Sequence, residues 1–171
     1  MMRSSNRISR ACKIAGVLAM AVLLAACSKE QLPPKQYGVG GEGPIAPGTS
    51  RDFAVNVGDV VRFEVDSSEL TPQAQTILND QSLWLNQYPQ YTVTVEGHAD
   101  ERGTREYNIA LGARRATSVK SYLASHGVTT SRLRTISYGK ERPIAVCDDI
   151  SCWSQNRRAQ TVLNNRAMAG N

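Results

Sequence analysis

The chain has 171 residues, and the roughly 115 that follow residue 51 are enough for one domain with its own core. The formal net charge is +5, but four of the 20 basic residues fall within the first 13 positions, which leaves 16 basic against 15 acidic residues. Because so balanced a remainder offers no basic surface to follow phosphates, the charge argues against nucleic acid as a partner.

The first 26 residues have the pattern of a secretory signal peptide. Basic residues without acids come first, and the apolar run that follows, over residues 14–26, is too short to cross a bilayer. The run ends in Leu24-Ala25-Ala26-Cys27. This order resembles a bacterial lipobox, which implies cleavage before Cys27 and acylation of its thiol. Ser28 then indicates an outer-membrane anchor, with the rest of the chain facing the periplasm.

Residues 27–51 are predicted to be the lipidated Cys27 and a flexible linker, because proline and glycine interrupt every period there. Residues 38–43 match the spacing G-x-G-x-x-G of dinucleotide-binding loops. Such a loop needs a strand before it and a helix after it. Prolines flank this segment instead, at positions 33, 34 and 44, so we expect no cofactor.

The next segments predict a strand, a helix and a second strand. Residues 60–65 alternate between apolar and polar side chains, as a half-buried strand does. Thr71 and Pro72 predict the start of a helix, whose apolar stripe ends at Pro89. Residues 91–95 are alternating and rich in β-branched side chains, and this strand leads to His98 and Asp100.

A second helix and two further strands follow. Thr104 is suited to cap the helix, and Gly127 to end it. Strands are predicted over residues 133–138 and 159–163, with residues 155–158 leading into the last one.

This order predicts an α/β (α+β) fold, a two-layer sandwich of topology βαβαββ. Both helices are expected on one face of a four-stranded mixed sheet. The domain is expected to span residues 52–166, and residues 167–171 to form a C-terminal tail.

The segment from strand to second helix carries the most specific motif. Its spaced positions are Asp100, Gly103, Asn108, Leu111 and Arg115. This pattern resembles the OmpA-like peptidoglycan-binding domain family, and the letters GHADERGTREYN resemble its peptidoglycan-associated lipoprotein branch. The resemblance implies the same fold, non-covalent binding of peptidoglycan, and contacts from Asp100 and Arg115 to diaminopimelate.

The residue types suit that ligand. The far end of diaminopimelate carries an ammonium and a carboxylate on one carbon, so a binder needs an anion close to a cation. Asp100 and Arg115 supply both, and a planar guanidinium can give a carboxylate two parallel hydrogen bonds. Asn108, Leu111 and Arg115 share one helix face because they are spaced by three and four.

Three further residues are predicted to contribute to this peptidoglycan site. The backbone amides near Gly103 and Thr104, at the start of the helix, can meet an anionic group. Asp66, in the segment that matches the family's first-strand motif, is expected at the mouth of the pocket. Phe63, in the same segment, is expected in the core.

Each residue also has a structural alternative. Asp100 is suited to an Asx-type turn, and Arg115 to a solvated helix face with a salt bridge to Asp100. His98 is expected to fix the turn or line its rim rather than act as a ligand or base. Residues 156–158 are expected to frame the start of the last strand, or else to border the pocket.

The cysteines have separate predicted fates. Cys12 leaves with the signal peptide, and Cys27 is lipidated. Cys147 and Cys152 remain in a compartment that permits disulfides, so an intrachain bridge is favoured over free thiols. This pair is not part of the family motif.

Competing functions are an enzyme acting on the wall and a protein adaptor. A zinc hydrolase needs clustered ligands, whereas the two histidines, His98 and His126, lie far apart in no ligand motif. We therefore expect no metal and no catalysis. The resemblance also implies partnership with TolB and other Tol proteins, on a surface that overlaps the peptidoglycan site.

A stator or porin form of the domain is disfavoured, because the sequence has no retained membrane helix and no set of barrel strands. From the sequence we expect alanine at Asp100 or Arg115 to leave folding intact and to weaken wall binding by at least about tenfold.

Overall fold

The computed structural model describes residues 44–165. The predicted signal peptide over residues 1–26, the lipidation of Cys27, most of the linker over residues 27–51 and the tail over residues 167–171 lie outside the described residues. Among residues 44–165, no helix has the length and apolar character needed to span a bilayer.

The described part begins with a helical segment that the sequence analysis did not predict. Helix α1 (Ser50–Asp52) continues as a π-helical turn over Phe53–Gly58. Phe53 is buried against Trp84, with ring centroids 4.9 Å apart. Asp52 accepts a 2.9 Å hydrogen bond from Trp84 Nε1, so the segment is tied to the core by apolar and polar contacts.

Four strands form one mixed sheet in the order β1-β4-β2-β3, with β2 and β3 parallel and β4 antiparallel to both β1 and β2. The strands are β1 (Val60–Arg62), β2 (Tyr91–His98), β3 (Leu133–Gly139) and β4 (Arg158–Asn165). The predicted mixed sheet is confirmed. β1 ends at Arg62 rather than at the predicted residue 65, and the chain then turns at Asp66, which has a φ of 57°.

Two long helices cover the sheet, and the structure confirms their predicted caps. Helix α2 (Pro72–Gln87) begins after Thr71, whose hydroxyl accepts from the amide of Ala74. Helix α3 (Arg105–Ser125) begins after Thr104, whose hydroxyl accepts from the amide of Tyr107. Gly127 ends α3 with a φ of 92°, a conformation that favours glycine.

The core lies between these two helices and the sheet. Leu78 and Leu85 of α2, Leu123 of α3, and Val93 and Val95 of β2 belong to one cluster of buried side chains. Since both helices contribute to the same cluster, they share one face of the sheet, as predicted.

A short fourth helix lies in the segment that contains Cys147 and Cys152, the cysteine loop, and the sequence analysis missed it. Helix α4 (Ile150–Asn156) begins after Asp149, whose carboxylate accepts from the amide of Ser151. A disulfide joins Cys147 to Cys152, with 5.6 Å between their Cα atoms. Residues 155–158 lead into the last strand as predicted, but residues 155 and 156 do so as the end of α4, and β4 begins at Arg158.

Two glycines let α3 approach β2 closely. A Cβ atom on Gly97 would overlap the carbonyl oxygen of Gly112. The helix therefore lies directly on the end of β2, the position from which the chain enters the segment around Asp100.

We expect Gly97→Ala to lower the free energy of unfolding by about 1–3 kcal/mol, because the methyl group would push α3 away from β2. Chemical denaturation of the full-length protein measures this. The matched control is Ala113→Ser on the exposed face of α3, which should change stability by no more than about 0.5 kcal/mol. Equal stability of the Gly97→Ala variant and the wild type would show that the close approach is not required.

Candidate functional site

A cleft of about 300 Å³ opens where the end of β2, the start of α3 and the turn after β1 meet. Its lining residues are Val65, Asp66, Asp100, Arg102, Gly103, Tyr107, Asn108, Leu111 and Arg115. The structure thus brings together six of the seven residues predicted for the site. Thr104, predicted to contribute its backbone amide, is not among the lining residues, and its hydroxyl caps α3.

Asp100 is a buried residue of this cleft and is held by two arginines. It accepts bonds of 3.2 and 2.7 Å from Nε and Nη2 of Arg102, and one of 3.4 Å from Nη1 of Arg157. Burial alone would raise the pKa of Asp100, but the hydrogen bonds and charge of Arg102, with the bond from Arg157, hold that pKa below its usual value. Asp100 is therefore an anion at neutral pH.

Asp100 also closes a local turn. Its Oδ1 accepts from the backbone amide of Arg102, two residues along, at 3.3 Å. This is the Asx-type turn considered as a structural alternative. The structural role and a ligand-binding role are compatible, because the same carboxylate lines the cleft.

Arg115 is wholly buried, with 0% of its surface exposed. Its guanidinium donates to three backbone carbonyls: 2.8 Å from Nε to Ser67, 2.7 Å from Nη1 to His98, and 3.1 Å from Nη2 to Glu64. The alternative of a solvated helix face is wrong. The ion pairs of Asp100 among residues 44–165 are with Arg102 and Arg157, rather than with Arg115.

These three bonds limit what Arg115 can offer a ligand. A guanidinium carries five N–H donors, so two remain, one on each terminal nitrogen. Burial lowers the pKa of Arg115 to about 10, and the group stays cationic at neutral pH. Arg115 thus contributes a fixed, buried positive charge rather than a free fork.

Asn108, Leu111 and Gly103 shape the cleft. Asn108 is buried, and its Nδ2 donates to the carbonyl of Arg102 at 2.7 Å, which fixes the turn between β2 and α3. Leu111, also buried, supplies an apolar wall. Gly103 has a φ of 86°, so the turn itself favours glycine.

Asp66 also lines the cleft. The hydroxyl of Tyr107 donates to its carboxylate. Because Asp66 adopts a positive φ without being glycine, its backbone conformation is unusual and is the kind often found at functional sites.

Val65, Arg102 and Tyr107 were missed as site residues by the sequence analysis. Arg102 and Tyr107 stand inside the motif segment, so their positions were a signal, but their side-chain directions were not predictable from spacing. The guanidinium of Arg102 lies 4.3 Å from the ring centroid of Trp153, in α4. The cysteine loop therefore supports the site.

The residues on either side of the motif have structural roles. His98 is buried, not at a rim, and burial, then the charges of Arg158 and Arg142, lower its pKa to about 4. Arg157 reaches Asp100 and so borders the site. Phe63 is in the core, as expected.

Within residues 44–165, no group of three or more histidine, cysteine, aspartate or glutamate side chains is placed to hold a metal ion. The cleft instead combines two carboxylates, from Asp66 and Asp100, with two guanidinium groups, from Arg102 and Arg115. Such a mixed set of charges can receive a small group that carries both an anion and a cation.

Comparison with known proteins gives consistent similarities. The sequence model of the OmpA family matches residues 62–158. A peptidoglycan-associated lipoprotein of Rhizobium meliloti is 60% identical over 85% of this chain and 84% of its own length. A peptidoglycan-associated lipoprotein of Brucella melitensis is 56% identical over 95% of this chain and 98% of its own length.

Solved structures of related proteins have a similar fold. The peptidoglycan-associated lipoprotein of Burkholderia pseudomallei is 40% identical, with a TM-score of 0.61 over 62% of this chain and 90% of that one. The C-terminal domain of Helicobacter pylori MotB is 24% identical and shares the fold. Its TM-score is 0.60, over 64% of this chain and 86% of that one.

The burial of Arg115 changes the expectation for its replacement. The structure does not support the view that Arg115→Ala leaves the fold intact, because three backbone carbonyls lose the hydrogen bond that Arg115 donates. We expect a loss of about 3 kcal/mol in the free energy of unfolding, measured by chemical denaturation.

The matched control is the neighbouring Arg114→Ala, on the exposed face of α3, with an expected loss below about 1 kcal/mol. Similar losses for the two variants would contradict the structural role assigned to Arg115.

Proposed function

The chain belongs to the peptidoglycan-associated lipoproteins of the OmpA family, and we propose that it binds peptidoglycan non-covalently through the cleft at Asp100. It is a binding protein and not an enzyme. The ligand group is the far end of diaminopimelate, with its ammonium and carboxylate on one carbon.

One observation carries this proposal: the family motif lines a cleft with opposite charges close together. Asp100 is ionised and lies beside the guanidinium of Arg102, while Arg115 places a fixed positive charge in the same cleft. A ligand with a single charge would also meet a group with the same sign of charge there, and the two would repel each other. A zwitterionic group can satisfy both signs at once.

The residues have distinct proposed roles. Asp100 accepts the ammonium, and the buried positive charge of Arg115 attracts the carboxylate. Charge-assisted bonds of this kind make a net contribution of roughly 1.5–3 kcal/mol each.

The other predicted site residues act at the edges of the ligand. Asp66 lies at the mouth, Leu111 packs on the aliphatic part, and Asn108 and Gly103 hold the turn. Thr104 acts through the cap of α3.

The proposal includes attachment of the protein to the outer membrane. Acylation of Cys27 would anchor the mature chain there, since several acyl chains hold a protein far more firmly than one. The linker after Cys27 would let the domain reach the wall from the periplasmic face. The support is the lipobox-like sequence and the lipoprotein names of the relatives.

We further propose TolB and other Tol proteins as partners, in the envelope system that acts during cell division. The support is the resemblance to the peptidoglycan-associated lipoprotein branch. TolB and peptidoglycan would then alternate on overlapping surfaces, so this role and wall binding are compatible.

We expect Asp100→Asn to weaken binding to purified sacculi by at least about tenfold, because the amide cannot form a charge-assisted bond with the ammonium. Co-sedimentation of the full-length protein with sacculi, over a range of protein concentrations, measures the apparent Kd. The thermal unfolding midpoint of the variant verifies that it is folded at the temperature used.

The matched control is Asp80→Asn, which makes the same chemical change at an exposed position of α2. It should bind as the wild type does. A folded Asp100→Asn variant that sediments with sacculi as well as this control would refute the assignment of the site.

A further inference from the structure

We propose that Arg102 determines the specificity of this site by exchanging partners. Its guanidinium leaves Asp100 when the ligand's ammonium arrives, and it then pairs with the ligand's carboxylate. The inference rests on the proposed function and names a residue that the sequence analysis did not include in the site.

Arg102 occupies the place on Asp100 that the ligand's ammonium needs. Its Nε and Nη2 donate to the two different oxygens of Asp100, at 3.2 and 2.7 Å. The Asp100 side chain is only 10% exposed. An incoming ammonium therefore cannot bind that carboxylate fully unless a guanidinium moves away.

Of the arginines near Asp100, Arg102 is the one whose side chain is able to move. Its side chain is 42% exposed, whereas that of Arg157 is 7% exposed. Arg157 also donates to the carbonyl of Phe63 at 3.2 Å, and Arg115 is fixed by three carbonyls. Moving either of these would break contacts inside the fold, while moving Arg102 breaks a pair that faces solvent.

After it leaves Asp100, the guanidinium of Arg102 is expected to stay beside the cleft. Arg102 packs on the ring of Trp153, 4.3 Å from its centroid. The indole nitrogen of Trp153 donates to the carboxylate of Glu101. The disulfide between Cys147 and Cys152 links α4, the helix that carries Trp153, to the segment before it. This platform keeps the cation near a ligand bound at Asp100.

The exchange selects for zwitterions. A ligand with an ammonium alone takes Asp100 and leaves Arg102 without its carboxylate partner. A ligand that adds a carboxylate on the same carbon replaces what Arg102 has lost. Arg102 should therefore favour diaminopimelate over lysine, which has the same chain without the distal carboxylate.

Two peptides that differ only in that carboxylate test the idea. The probes are L-Ala-D-Glu-meso-diaminopimelate and L-Ala-D-Glu-L-Lys, titrated into the full-length protein by calorimetry. The wild type should prefer the diaminopimelate peptide by at least about tenfold. Arg102→Gln should reduce that preference below about threefold, with weaker binding of the diaminopimelate peptide and equal or tighter binding of the lysine peptide.

The matched control is Arg105→Gln, which removes an exposed arginine of the same segment that pairs with Glu141 instead. It should keep the wild-type preference. Arg102→Lys should keep part of the preference, because the charge remains while the planar fork is lost.

Tryptophan fluorescence gives a second readout that a purely structural role would not produce. The shift of the Arg102 guanidinium over the Trp153 ring, as it leaves Asp100 for the ligand's carboxylate, should change the emission when the diaminopimelate peptide binds. The change should be absent in Arg102→Gln, which has no guanidinium to move. Trp153→Phe verifies which tryptophan reports.

Several outcomes would overturn the inference. An unchanged preference in Arg102→Gln would show that Arg102 does not read the carboxylate. Equal weakening of both peptides would show a structural role, and equal tightening would show that Arg102 only blocks the site. If the wild type binds neither peptide, the proposed function itself fails, and this inference fails with it.

Discussion

The structure depends most on the three hydrogen bonds from Arg115 to the carbonyls of Glu64, Ser67 and His98. They join α3 to the turn after β1 and to the end of β2, which are the segments that form the cleft. A buried guanidinium without such partners would be costly, so the bonds and the burial require each other. The same residue that carries the family motif therefore holds the walls of the cleft together.

This arrangement separates a fixed cation from an exchangeable one. Arg115 cannot turn toward a ligand without giving up backbone contacts, while Arg102 pairs with Asp100 at the solvent boundary. The pairing with Arg102 and Arg157 keeps Asp100 ionised, since burial alone would favour its protonated form. Before a ligand arrives, the cleft thus has its opposite charges in place, with one of the pairs open to replacement.

Much of this could be predicted from the sequence where the signal is local. Thr71 and Thr104 cap their helices because a hydroxyl before the first turn can accept a backbone amide. The spacing of Asn108, Leu111 and Arg115 placed them on one helix face. In contrast, the burial of Arg115 depends on the carbonyls of Ser67 and Glu64, 48 and 51 positions earlier in the chain, as well as on that of His98, and no local pattern contains these contacts. Helix α4 was missed because seven residues are too few to show a period, and with it the support that Trp153 gives Arg102.

The central claim is that the zwitterionic end of diaminopimelate binds between the charges of this cleft. A crystal structure of the protein with a diaminopimelate stem peptide tests it most directly. The account predicts the ammonium within hydrogen-bonding distance of Asp100, roughly 3 Å, and the guanidinium of Arg102 displaced from that carboxylate. A peptide bound elsewhere, or bound here with the contact between Arg102 and Asp100 unchanged, would contradict it.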